Sequence, residues 1–106
     1  MGNFSERLRD GMEFGGFDVY LSIENDELCM EVTDGDYDRS WKLNKDNTKR
    51  FLSAVGGIEK LLLLFPKPEF EMGNTDKFIA SFKSACEKHK IKYEYTSYMS
   101  GSAFDR

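Results

Sequence analysis

Two groups of residues in this chain have the types and spacing for chemistry. Cys86 and His89 form a C-x-x-H pair, a spacing that sets a thiol and an imidazole on one helix face. Such a pair can hold one side of a zinc site or supply a nucleophile with its base. A structural zinc takes four ligands, whereas His89 is the only histidine and Cys29 the only other cysteine. The same face carries Ile79 and Phe82, so the pair reads as a buried thiol and a helix-terminal histidine. The second group is the alternating carboxylates Asp34, Asp36 and Asp38, which resemble the first half of a calcium loop. That loop needs Gly at its sixth place and Glu at its twelfth, and Arg39 and Lys45 stand there. No metal, no cofactor and no catalytic residue is assigned, and no G-x-S-x-G, P-loop, H-E-x-x-H or dinucleotide fingerprint occurs.

The acids have a more telling distribution than their number. Between Phe17 and Asp38 lie Asp18, Glu24, Asp26, Glu27, Glu31, Asp34, Asp36 and Asp38, with no Lys or Arg among them. The rest of the chain holds eleven acids and fifteen bases, so a net charge of −4 conceals a strongly acidic segment on a basic remainder. An acidic surface attracts a basic partner and repels nucleic acid, whose phosphates need clustered Lys and Arg. Tyr20 within the run adds the rigid aromatic area common at interfaces. The expected partner-binding set is therefore Asp18, Tyr20, Glu24, Asp26, Glu27, Glu31, Asp34, Asp36 and Asp38. A solvated hairpin face is the plainer alternative.

These residues must be carried by regular elements. Phe17, Val19, Leu21 and Ile23 alternate with polar residues, as do Leu28, Met30 and Val32, and the pattern predicts two strands of a hairpin. Tyr37, Trp41 and Leu43 share one face of a third strand, with Asp38, Ser40 and Lys42 on the other, completing a meander. Asn44 caps a helix whose stripe is Thr48, Phe51, Leu52 and Val55, stopped by Gly56-Gly57. A second helical stretch runs from Ile58 until Pro66, and its 61–65 run is expected to lie sandwiched in the core. If that run is exposed instead, it becomes a dimer patch. A helix beginning at Asn74 or Thr75 carries Phe78, Ile79, Phe82, Cys86 and His89, and Ile91, Tyr93 and Tyr95 form a last strand. Residues 1–16 read either as a short helix on Phe4, Leu8 and Met12, ending at Gly11, or as an irregular arm. The tail from Ser97, and 99–106 in particular, is expected to fray. The sum is an α+β fold: an antiparallel β-meander with helices on one face and a final C-terminal strand.

Length and composition are consistent with that plan. The 106 residues fit one domain over 1–106, and nine Phe, five Tyr and one Trp can fill a core without a disulfide or a metal. The longest apolar run is five residues, against about 20 for a membrane span. The first thirty residues carry seven acids and no apolar stretch like that of a signal peptide. A cytoplasmic protein with two reduced cysteines is expected.

In layout, the short acidic meander, the strand ending Ser40-Trp41-Lys42-Leu43, the capped helix over 44–55 and the late aromatic strand resemble the small immunity proteins of bacterial polymorphic and contact-dependent toxin systems. The resemblance implies a non-enzymatic, high-affinity inhibitor of one cognate protein, commonly a basic nuclease. It carries no particular residue over. From the charge pattern and the short apolar run, the expected partner is one basic protein and neither nucleic acid nor membrane, with the chain a monomer or small homo-oligomer. The other readings are a small bacterial or phage regulatory or oligomerising protein, and a small metal- or thiol-dependent enzyme.

Overall fold

A computed structural model describes residues 3–67 and 75–99. The order is β1 (Phe4–Arg9), α1 (Gly11–Phe14), β2 (Asp18–Glu24), β3 (Glu27–Thr33), β4 (Tyr37–Lys42), α2 (Lys45–Val55), α3 (Ile58–Leu62), α4 (Asp76–Lys88) and β5 (Glu94–Met99). The strands form one antiparallel meander sheet in sequence order, β1-β2-β3-β4-β5, and the fold is α+β.

The period-two pattern selects the faces of the sheet. Val19, Leu21 and Ile23 of β2, Leu28, Met30 and Val32 of β3, and Trp41 of β4 all point to one side and are buried. The helices lie on that side, where Phe51 of α2, Leu61 of α3 and Phe78, Phe82 and Cys86 of α4 complete the core. The β2–β3 turn places Asn25 and Asp26 at φ 54° and 63°, the left-handed pair that a tight two-residue hairpin requires. At α2, Asn44 Oδ1 accepts from the Asn47 N–H (2.8 Å). Gly56 closes the helix in the left-handed region, with its N–H and that of Gly57 both donating to the Leu52 carbonyl.

Thr48 ties the two layers together. Leu28 and Leu43 would be a hydrogen-bonded pair of the antiparallel ladder, and the Leu43 N–H does donate to the Leu28 carbonyl (2.8 Å). In the reciprocal bond the Thr48 hydroxyl is interposed. It accepts from the Leu28 N–H (2.9 Å) and donates to the Leu43 carbonyl (3.3 Å). A helical side chain thus completes the sheet where β4 ends.

Three segments differ from expectation. Within residues 1–16, residues 4–9 form a strand rather than a helix or an irregular arm. Phe4 and Leu8, four apart, share a face in either conformation, and the edge of β2 offers a row of backbone partners. Met12, the third member of the supposed stripe, is 97% exposed. Gly11 begins α1, capped by the Asp10 carboxylate, instead of ending a helix; only glycine fits there, since a Cβ would stand 2.4 Å from the Gly16 carbonyl oxygen. A register shift after Arg7 turns Arg9 inward, where its guanidinium donates to the Phe14 and Phe17 carbonyls.

The second difference is in the 61–65 run, which is not sandwiched. Leu61 and Phe65 are buried and Leu62 packs half-buried against the core, but α3 stops at Leu62, leaving Leu63 82% and Leu64 44% exposed in a turn before Pro66. The third is in the last strand, which starts later than expected and continues through Ser97 and Tyr98 instead of fraying. Lys90 takes a left-handed φ of 55°, the Ile91 N–H returns to the Cys86 carbonyl, and 91–93 lead down to the sheet edge. Of the expected frayed tail, 100–106 lies outside the described residues, as does most of the link between Pro66 and α4.

Candidate functional site

The face of the sheet opposite the helices bears no covering element among the described residues. Register fixes its occupants, since cross-strand partners share a face. One row across all five strands is Arg7, Tyr20, Glu31, Ser40 and Thr96. The next is Ser5, Ser22, Cys29, Lys42 and Glu94, and beyond Glu31 lie Asp18, Thr33, Asp38 and Tyr98. The part of this face from the Tyr20–Glu31 row to the β2–β3 turn is a polar trough of about 1050 Å³ that includes Tyr20, Glu24, Glu27, Glu31, Lys42 and Glu94 in its lining.

Glu31 stands at the middle of the middle strand. Burial, and after it the neighbouring Asp38, push its carboxyl above the usual carboxylate value. Cys29 beside it is likewise raised, first by burial and then by Glu31, while Lys42 opposes the shift. Tyr20 is held from one side by Arg7, whose guanidinium is stabilised in its charged form by that hydrogen bond and then by Asp10. Lys42 reaches Glu27 at 3.3 Å, and Ser40 and Thr96 join hydroxyls at 2.6 Å. The open face carries six acids, Asp18, Glu24, Glu27, Glu31, Asp38 and Glu94, against the two bases Arg7 and Lys42.

The structure divides the sequence-assigned set. Asp18, Tyr20, Glu24, Glu27, Glu31 and Asp38 share the open face, whereas Asp26 sits in the β2–β3 turn and Asp34 and Asp36 in the β3–β4 turn at the opposite end. Asp34 serves its own turn: its carboxylate accepts from the Tyr37 (2.8 Å) and Asp36 (2.9 Å) N–H groups, which hold its pKa low. Asp18 accepts from the Gly11 N–H (2.6 Å), and Thr33 donates to Asp38. These carboxylates therefore shape loops as well as the surface. The sequence-assigned set lacks Ser22, Cys29, Ser40 and Lys42 of the central strands, and also Arg7, Glu94 and Thr96, whose presence at the site depends on the pairing of β1 and β5 at the sheet edges. The strand alternation itself was the available signal for the central ones.

Elsewhere, Cys86 is wholly buried, and burial, with Glu87 second, pushes its thiol up to about 12. That is the opposite of the depressed pKa an activated thiolate needs. No three His, Cys, Asp or Glu side chains gather to hold a metal among the described residues, and no helix there is long and apolar enough to cross a membrane. A separate hollow of about 570 Å³, between the start of β1 and the α2–α3 corner, is lined by Phe4, Ile23, Leu52 and Ile58 and by small or neutral polar residues. Comparison with known proteins finds no matching family model, no matching curated relative and no matching solved structure.

Proposed function

We propose that this chain is a cytoplasmic, non-enzymatic binding protein that neutralises one basic partner protein through the open face of its sheet, in the manner of an immunity protein. The observation that carries the reading is the open face itself, where six acids meet two bases and no other element covers them among the described residues; Glu24, Glu27, Glu31 and Glu94 line its trough with Lys42. A carboxylate part-withdrawn from water and crowded by Asp38 gains more from an incoming guanidinium or ammonium than a solvated one does. Tyr20 and Tyr98 supply aromatic area, and the hydroxyls of Ser22, Ser40 and Thr96 supply adaptable hydrogen bonds. The acids outside the trough, Asp26 and Asp36 among them, extend the negative field and speed the encounter.

The test is affinity capture from the native host with the wild-type chain and with a variant carrying Glu24→Lys, Glu31→Lys and Glu94→Lys, followed by mass spectrometry. A basic protein retained by the wild type alone is the expected result. Its association rate should fall by at least tenfold in the variant at low salt and converge with the wild type at high salt. Capture of the same proteins by both chains, or a rate indifferent to the reversals, would refute the electrostatic account.

A further inference from the structure

The opposite layer of the molecule carries a second surface of contrary charge. A groove runs along α4, between it and the α2 C-terminus with the turn after α3. Three adjoining hollows make it up: Leu64, Ser81 and Ser84 border two of them, and Ala54 and His89 link to the third. Its floor is aliphatic and small, with Ala54, Val55, Leu64, Ala80 and Ala85. On α4, Lys77, Ser81, Ser84 and Lys88 fall at i, i+4, i+7 and i+11, one stripe about 16 Å long at 1.5 Å per residue. The charged side chains lining the groove among the described residues are Lys49, Arg50, Lys77 and Lys88, all basic.

Leu64 is 44% exposed at this groove and Leu63 beside it 82%, although the same run sends Leu61 and Phe65 into the core. Two neighbouring leucines left in water beside a groove mark an unpartnered contact. The size, the apolar floor and the single-signed rim together define what would fit. We infer that the groove between α2, the turn after α3 and α4 docks a short amphipathic helix of a partner protein, its Leu-type residues on the floor and its Asp and Glu residues against the basic rim. A helix of about three turns matches the stripe, and anchors at i, i+3, i+4 and i+7 match a groove of this kind. Nucleic acid would find four basic side chains on the rim, but an aliphatic floor of Ala54, Val55, Leu64, Ala80 and Ala85 that its phosphates do not use. A second copy of the chain would bring a net negative molecule without a described acidic helix to offer.

The probe is a stapled peptide of about four helical turns with Leu at i, i+3, i+4 and i+7 and Glu on the flanks. Its controls are a scrambled peptide of the same composition and a counterpart with Lys for Glu. Fluorescence anisotropy should show saturable binding of the patterned acidic peptide, at least tenfold tighter than either control. Amide shifts on binding should centre on residues 54, 64, 81, 84 and 85. Leu64→Asp, and separately Arg50→Glu with Lys88→Glu, should each weaken binding at least tenfold with the circular dichroism spectrum unchanged. These positions are exposed enough to leave the fold intact.

Absence of binding, equal binding of the scrambled peptide, or shifts centred on the sheet would overturn the inference. So would a concentration-dependent dimer in sedimentation that Leu64→Asp abolishes, since a second copy would then be the occupant. Leu64-dependent binding to anionic lipid vesicles or to a DNA duplex in preference to the peptide would overturn it in favour of those ligands.

Discussion

Replacing Thr48 by Val keeps the shape of the side chain and removes the hydroxyl that completes the ladder between β3 and β4. The Leu28 N–H is buried at this point, and its acceptor is the Thr48 oxygen at 2.9 Å. The substitution leaves that donor, and the Leu43 carbonyl's share of the bridge, without a partner in a site where the isosteric methyl also excludes water. Removing one partner so that a buried donor is left unsatisfied costs about 1–3 kcal/mol. That is a substantial fraction of the ~5–15 kcal/mol of a typical domain. Thr48→Ser deletes one methyl group and keeps the bridge, so it should cost about 1 kcal/mol. Urea denaturation followed by tryptophan fluorescence measures both, because Trp41 is the only tryptophan and lies in β4 next to the affected ladder. With a slope of about 1–3 kcal/mol per molar urea, the Val midpoint should lie roughly 1 M below wild type and below Ser. If Val were as stable as wild type, or more stable than Ser, the bridging role of the hydroxyl would be refuted.

Three further substitutions probe the site, its support and the exposed turn. Glu31→Gln should raise stability at neutral pH and weaken the basic partner. Folding lifts the Glu31 pKa above its unfolded value, so the protonated form's favourable contribution is present in acid and is lost as pH rises through the two values. The gap between variant and wild type should accordingly close in acid and open above the folded pKa, and thermal melts across pH would expose a gap of the opposite trend. Trp41 is 5% exposed, pairs with Met30 across the ladder and packs against the Tyr95 ring at 5.1 Å. Trp41→Ala should cost about 3–5 kcal/mol, while Leu63→Ala, at an 82% exposed position, should stay within about 0.5 kcal/mol of wild type; chemical denaturation ranking them otherwise would contradict the placement of β4.

The meander was legible because its signals are local and agree with one another. Alternation in β2 and β3, the Asn25-Asp26 turn, and the Asn44 and Gly56 caps each point to the element that forms. What was not legible depends on partners distant in sequence. Phe4 and Leu8 satisfy a helical and a strand period equally, and only the open edge of β2 decides between them. The 61–65 run looks buried because five apolar residues in succession suit a core. Its fate depends on where α3 ends, and the turn before Pro66 turns Leu63 and Leu64 outward. Glu94 and Thr96 belong to the site only through β5 pairing with β4, a contact across more than fifty residues. The acidic run was visible as composition. Its division into a face and two opposite turns required the register, because the strand acids of β2, β3 and β4 align on one face only once the strands pair, while Asp34 answers to N–H groups of its own turn.

Charge in this molecule is sorted by element type, and the sorting follows from the layering. A strand with one buried face has only every second position free for charge, and here those positions hold six acids and two bases across the five strands. A helix packed on the sheet frees most of its circumference, and α2, α3 and α4 carry seven bases against the four acids Asp46, Glu59, Asp76 and Glu87. The apolar core lies between the two populations. The described ion pairs that involve the sheet, Arg7 with Asp10 and Lys42 with Glu27, stay within the sheet and its connecting segments. The shortest dimension of the molecule, 25 Å, exceeds the roughly 8 Å over which physiological salt screens exposed charges. An acidic sheet face and a basic helical groove therefore lie on opposite layers of one small chain, and the two partners proposed for them would approach from different sides.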